Sequence, residues 1–311
     1  MPPEQALLAH YVEDYLATIS SERNFSPLTV KAYRKDLTDL LDFLGGYQPE
    51  YLASPAQLDR VAIRHYLGHL REKGLGPRST ARKLASLKSF FKYLIRIEVM
   101  SASPAADIMT PKFPRPLPEV LQPDQALRLM DLPSAATTIG LRDKAMLELF
   151  YATGIRLAEL TGLAVGDLIL SRGILRVVGK GNKERRVAFG QPAAKAIDRY
   201  LDDRRNGGEH IDHRSPLFLG RGGKGISKRM VQKRIKQYLQ QVTEAKKLSP
   251  HLLRHTMATH LLDNGADIKA VQDMLGHASL STTQIYTHVS IDKIKKTYVQ
   301  AHPHGGGKSG S

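Results

Sequence analysis

The stretch "GILRVVGKGNKERRVAFG", Gly173 to Gly190, breaks a chain whose apolar pattern is otherwise helical. Ile174, Leu175, Val177 and Val178, followed by Val187 and Phe189, read as two short strands. "GKGNKE" is the turn between them and puts Lys180 near the tip of a hairpin. Helical periods resume on both sides. Upstream, "RDKAMLELFYATGIRLAELTGL" (142–163) is helical with Gly154 as an interruption. Downstream, "SKRMVQKRIKQYL" (227–239) puts Val231, Ile235 and Leu239 on one face, with Arg229, Lys233 and Lys236 off it. The expected fold class is therefore mainly α with a small antiparallel β-sheet.

Further toward the N-terminus the helical reading holds. In "LLAHYVEDYLATI" (7–19), Leu8, Tyr11, Val12, Tyr15, Leu16 and Ile19 share a face. In "SPLTVKAYRKDLTDLLDFL" (26–44), Ser26 reads as an N-cap and Pro27 as the first helical residue. Tyr33, Leu37, Leu40, Leu41 and Leu44 then form an apolar stripe. In "STARKLASLKSFFKYLI" (79–95), Leu84, Leu87, Phe91 and Leu94 point inward, and Arg82, Lys83, Lys88 and Lys92 are read off that face. A basic helix face is ordinarily a solvated one; beside DNA it is a phosphate-contact face. Five prolines between Ser103 and Pro118 cannot occupy a helix interior. The organisation expected is a helical domain over 1–108, an extended linker over 109–118 and a second domain over 119–311.

The net charge is +16, and it is uneven. Residues 1–110 hold 14 Lys/Arg against 12 Asp/Glu, whereas 111–311 hold 32 against 18. A polyanionic partner is the first inference, and nucleic acid is the commonest one. The absence of cysteine excludes disulfides, cysteine nucleophiles and thiolate zinc sites, and suits a reducing cytoplasm. "MPPEQALLAHYVEDYLATI" does not read as a signal peptide, because His10, Glu13 and Asp14 interrupt its apolar residues. No apolar run approaches the ~18 residues of a membrane span.

Some motifs fail on inspection. "GRGGKGIS" (220–227) ends in Ile-Ser rather than Lys-Ser/Thr, so it is no nucleotide P-loop, and "GGGKS" (305–309) lacks the earlier glycine. His251, His255 and His260 in "HLLRHTMATH" lack the glutamate of a zinc protease helix, and no metal site is expected.

A different set of residues carries chemistry. In "SPHLLRHTMATHLL" (249–262), His251 and Arg254 share a face near a helix start, where an anion is favoured. Arg offers a planar fork of donors for non-bridging phosphate oxygens, and His moves a proton near neutral pH. Arg156 follows Gly154 where a helix begins, and Glu159 is placed three residues on to hold its guanidinium. Taken alone, that pair reads more readily as a solvent-exposed i, i+3 ion pair. Lys180 on a hairpin tip is either solvated or, over a substrate, a proton donor to a leaving oxygen. In "LGHASLSTTQIYTHV" (275–289), Tyr286 follows His277 by nine residues. A free phenol has a pKa of about 10, so its phenolate lies about 4 kcal/mol uphill at pH 7. A lone tyrosine is a poor nucleophile; one beside two arginines, two histidines and a lysine is a plausible one.

In this order, Arg156, Lys180, His251 with Arg254, His277 and Tyr286 resemble the catalytic set of the tyrosine recombinase (phage integrase) family. The likeness covers nearly the whole chain. "FSPLTVKAYRKDL" and "STARKLASLKSFFKYL" resemble the family's SAM-like core-binding domain, and "STTQIYTHV" resembles its Xer branch; the "VQAHP" ending leans to the XerC type over XerD. Met257 stands where the family usually has Phe, at a packing position.

The resemblance implies a two-domain C-shaped clamp on double-stranded DNA. Tyr286 would attack a backbone phosphate to form a 3′-phosphotyrosyl bond, with Arg156 and Arg254 on the non-bridging oxygens and Glu159 in support. Lys180 would protonate the leaving 5′-oxygen, His251 would serve as acid/base at Tyr286, and His277 would hydrogen-bond the phosphate. Ester is exchanged for ester, so no ATP, metal or other cofactor is implied. Arg82, Lys83, Lys88, Arg229 and Lys233 are the expected DNA contacts. The implied assembly is a homo- or hetero-tetramer, formed with a second recombinase through a C-terminal helix bearing Ile291, Ile294 and Tyr298. It would resolve chromosome dimers at a dif-like site, with a DNA translocase as a further partner. Rival readings are a phage or transposon integrase and a type IB topoisomerase-like relaxing enzyme.

Overall fold

The computed structural model describes residues 7–22, 25–111, 119–179 and 184–276. The chain divides into two compact units, Met1–Pro116 and Leu117–Ser311. Residues 112–118 of the expected linker lie outside the described residues.

The first unit is helical: α1 (Leu7–Ser21), α2 (Pro27–Tyr47), the short α3 (Glu50–Ala53), α4 (Arg60–Glu72) and α5 (Pro77–Arg96). Ser26 caps α2, accepting from the Thr29 amide, and Pro27 opens the helix, as the sequence predicts. Asp59 caps α4 in the same way through the Ala62 amide. The stripes close on one core that includes Leu8, Leu16, Leu37, Leu44, Tyr66, Leu84, Leu87, Phe91 and Leu94.

One side chain in α5 departs from expectation. Lys83 is not on a DNA-facing surface but buried, with its ammonium bonded to Asp36 Oδ1 (3.1 Å) and Asp39 Oδ2 (2.5 Å) of α2. The reason is its spacing: Lys83 is one turn from Thr80 and Leu87, both buried, so it shares their inward face. Asp36 is itself fully buried and also accepts from Ser86 Oγ and from both terminal nitrogens of the half-exposed Arg82. Lys88 bonds the carbonyls of Ala106 (3.3 Å) and Ile108 (2.9 Å), tying α5 to the turn that follows it.

The second unit runs α6 (Pro123–Asp131), α7 (Thr138–Thr153), α8 (Leu157–Thr161), β1 (Leu168–Ile169), β2 (Ile174–Val178), β3 (Glu184–Ala188), α9 (Gln191–Asn206), α10 (Lys228–Leu239), α11 (Pro250–Asp263) and α12 (Ile268–Leu275). The sheet is antiparallel in the order β1-β2-β3, with Leu175 opposite Val187 and Arg176 opposite Arg186. β2 and β3 match the two strands read from the sequence. β1 is an addition: two residues are too few to show a period. Helix α7 is buried on all sides, from Ala145 to Thr153 without a break, and packs against α6, α9 and α11. It is the central post of the unit, and its C-terminus delivers the chain to the site.

Candidate active site

The geometry begins at the end of α7. Gly154 ends the helix in the left-handed region (φ 54°). A Cβ at position 154 would lie 2.0 Å from Met257 Cε and 3.0 Å from Leu275 Cδ2, so the Met257 side chain would have to shift. Met257 is buried in α11, so the packing role read from the sequence holds. The tight turn aims the Gly154 carbonyl at α11, where it accepts from Arg254 Nη1.

Two residues later Arg156 is the N-cap of α8. Glu159, in the first turn, accepts from the Arg156 amide through Oε2 (2.7 Å) and from Arg156 Nη1 through Oε1 (3.1 Å). The first contact satisfies a helix-start amide, and the second orients the guanidinium. The i, i+3 reading from the sequence was right about the partner. It underestimated the burial of Glu159, whose side chain is 6% exposed.

The same carboxylate takes two further bonds, from Arg185 Nη1 to Oε1 and Arg185 Nη2 to Oε2, both 2.9 Å. Sequence reasoning missed Arg185. The signal was available: on β3, Arg185 is two residues from Val187 and so shares its inward face, where a cation calls for a carboxylate.

The arginines converge on the end of α12. Three consecutive carbonyls there accept from three different guanidiniums: Met274 from Arg185 Nε (3.3 Å), Leu275 from Arg254 Nη2 (2.5 Å) and Gly276 from Arg156 Nη2 (2.7 Å). These are the orphan acceptors of a helix C-terminus, which attract cations. Gly276 closes α12 in the left-handed region (φ 65°); a Cβ at that position would meet Arg185 Cζ at 3.2 Å and Arg156 Nη1 at 3.4 Å.

Among these described groups, three guanidiniums stand against one carboxylate. Burial, and then the neighbouring charge of Arg156, push the Arg254 guanidinium down to about 10. It therefore stays cationic at neutral pH but is held at a cost. Burial alone would raise the Glu159 carboxyl; the hydrogen bonds from Arg185 and the Arg156 amide, with the two charges, outweigh it and hold Glu159 below the ordinary carboxylate range. The cluster is thus ionised and carries a surplus of positive charge whose donors end on oxygen acceptors. That is the chemistry needed to hold an oxyanion.

His251 lies exposed in the first turn of α11, three residues before Arg254. Arg156, Glu159 and Arg254 are thereby brought together, although they are far apart in sequence. Lys180, His277 and Tyr286, and with them Ile291, Ile294 and Tyr298, lie outside the described residues. Arg229 and Lys233 are exposed on α10. His260 is buried, bonded to Tyr151 Oη (2.6 Å) and the Leu121 carbonyl (2.9 Å), as a packed histidine of the core. No helix among the described residues is long and apolar enough to cross a membrane.

Comparison with known proteins identifies the family. The model of the phage integrase family matches residues 119–293, and that of the phage integrase N-terminal SAM-like domain matches 12–98. The chain is 43% identical to the tyrosine recombinase XerC of Pelobacter propionicus, over 95% of this chain and 96% of that one. It is 40% identical to the tyrosine recombinase XerD of Listeria monocytogenes, over 94% and 98%. Its fold is similar to that of the XerH site-specific recombinase bound to palindromic difH substrate in a post-cleavage complex, with a TM-score of 0.70, 19% identity and 94% of each chain covered.

Proposed function

Since the chain belongs to the phage integrase family and is a tyrosine recombinase, an enzyme of site-specific DNA cleavage and rejoining, we propose that Tyr286 is its nucleophile and that Arg156, Lys180, His251, Arg254 and His277 complete the catalytic set. The observation that carries this assignment is the convergence of Arg156 and Arg254 on the Leu275 and Gly276 carbonyls, immediately before His277. Two guanidiniums with donors already aimed at oxygens suit the non-bridging oxygens of a phosphodiester.

In the proposed reaction Tyr286 Oη attacks the scissile phosphorus. The phenolic proton passes to His251, and the P–O5′ bond breaks as Lys180 protonates the leaving oxygen. Arg156 and Arg254, with His277, stabilise charge on the pentacoordinate phosphorane. The product is a 3′-phosphotyrosyl ester and a free 5′-hydroxyl. The 5′-hydroxyl of a partner strand then attacks the ester and restores the phosphodiester, so no cofactor takes part in the proposed cycle.

In this reading residues 1–108 form the core-binding domain, 109–118 the linker and 119–311 the catalytic domain, and both domains contact duplex DNA. The exposed Arg229 and Lys233 are phosphate contacts, whereas Arg82 and Lys88 on α5 would first have to leave Asp36 and the Ala106 and Ile108 carbonyls. Four protomers exchange strands in two rounds through a Holliday junction, docked through Ile291, Ile294 and Tyr298 of neighbouring subunits. Chromosome-dimer resolution in the cytoplasm, with a paralogue and a DNA translocase as partners, is part of the same proposal; similarity to both XerC and XerD supports its recombinase part.

Tyr286→Phe tests the assignment. The variant binds a recombination-site duplex but forms no denaturant-resistant protein–DNA adduct on a nicked suicide substrate. An adduct formed by the variant places the nucleophile elsewhere.

A further inference from the structure

We infer that Arg185 is a positioning residue of the reaction: by occupying Glu159, it keeps the fork of Arg156 open toward the phosphate. The inference rests on the proposed role of Arg156 and adds a residue outside the catalytic set.

The argument turns on the hydrogen-bonding capacity of one carboxylate. An ionised Glu accepts about four hydrogen bonds. Glu159 receives two from Arg185, one from the Arg156 amide and one from Arg156 Nη1. Its acceptor sites are thus filled, and the Arg156 side chain contributes a single bond. An arginine left alone with a buried carboxylate adopts the stronger bidentate, fork-to-fork pairing. Arg185 already holds that pairing, at 2.9 Å through each nitrogen, and its side chain is 13% exposed. Arg156 is accordingly confined to Nη1, and Nη2 is directed away from Glu159 to the Gly276 carbonyl.

Arg185 also reaches the other side of the site. Its Nε donates to the Met274 carbonyl, and its Cζ is 3.2 Å from where a Cβ on Gly276 would lie. One side chain on β3 therefore links Glu159 in α8 to the last turn of α12, the turn that leads directly to His277. Neutralising Arg185 while keeping its bulk leaves Glu159 buried with Arg156 as its remaining hydrogen-bonded cation. Arg156 then swings into a bidentate pair, and its donors are withdrawn from the phosphate.

The experiment compares full-length wild type, R185Q, R185K, E159Q, R185Q/E159Q and R156A. Each is assayed for single-turnover cleavage of a suicide recombination-site duplex at saturating protein, for affinity to the same DNA, and for melting temperature. R185Q is expected to cleave about tenfold to a hundredfold more slowly, the range typical of lost positioning contacts, with affinity changed by less than about threefold. R185K recovers part of the rate, since an ammonium cannot span both oxygens. The double variant is no slower than the slower single variant, because both act through one carboxylate. Wild-type cleavage by R185Q beside an inactive R156A overturns the inference. So does a loss in R185Q that follows only its melting and vanishes on cooling, or a strictly additive double variant. Normal cleavage by R156A instead overturns the underlying catalytic reading.

Discussion

Two ionic clusters, one in each unit, are each built around a buried carboxylate and differ in balance. In the first unit Asp36 and Asp39 face Arg82 and Lys83, two anions against two cations. In the second, Glu159 alone faces Arg156 and Arg185, with Arg254 beside them. The first cluster closes on itself: its cations end on carboxylates and cross-link α2 to α5. The second leaves donors over, and these end on backbone carbonyls at the α12 terminus. A carbonyl is a weaker acceptor than an anionic oxygen. A balanced cluster has no donor left for a ligand, whereas one with surplus charge is suited to exchange a carbonyl for a phosphate.

The sharpest way to break this contrast is Arg254→Ala. With one oxyanion donor removed, cleavage of a suicide substrate is expected to fall by about 10²–10³-fold while the protein stays folded. Circular dichroism and single-turnover cleavage together check it; a variant that cleaves normally would show that the surplus charge has no catalytic use. Asp36→Ala probes the other cluster. Removing the anion leaves Arg82 without its carboxylate and Lys83 with Asp39 alone, and the expected loss is at most about 3 kcal/mol of stability. Below its lowered melting temperature the variant should cleave at the wild-type rate, and a folded but inactive protein would mean that the two clusters share a function.

Much of the fold was legible because it rests on local signals. Ser26 with Pro27, the α1 and α2 stripes and the two strands around "GKGNKE" each declare themselves within one helix turn or one strand period. Arg156 with Glu159 was legible for the same reason, being three residues apart. Lys83 was misread because a cation beside an apolar stripe is ordinarily solvated, and its burial depends on two aspartates in another helix. Arg185 was overlooked because its partner lies 26 residues away across a helix and a sheet. Strand alternation separates it from Arg186, on the exposed face of β3, only once the register of the strand is known. Pairing across elements is a tertiary fact, and strand alternation gives only the hint that an inward arginine needs an anion.

Acid should separate the clusters next. Glu159 is held below the ordinary carboxylate range in the folded state. A depressed folded pKa contributes stability that is present above the unfolded value and is lost as pH falls through the folded one. The gap in melting temperature between wild type and Glu159→Gln is therefore widest near neutrality and closes as pH is lowered through and below the ordinary carboxylate range. A gap that stays constant over that range would show that the carboxylate's charge is not what holds the arginines.

The smallest effect concerns DNA contact by cations that look alike in sequence. Each phosphate neutralised by a lysine or arginine releases counterions, so the slope of log affinity against log salt counts such contacts. Arg229 and Lys233 are exposed on α10 and are proposed as contacts; Arg229→Ala should lessen that slope by about one. Lys83 spends its ammonium on Asp36 and Asp39, so Lys83→Met should leave the slope unchanged and lower stability instead. The two substitutions remove the same formal charge and thus alter the long-range field alike. Any difference between their slopes reports local phosphate contact. Equal slopes would mean either that Lys83 leaves its aspartates when DNA binds or that α10 does not touch the backbone. Lys233→Ala decides between these, since an unchanged slope there as well assigns the failure to α10.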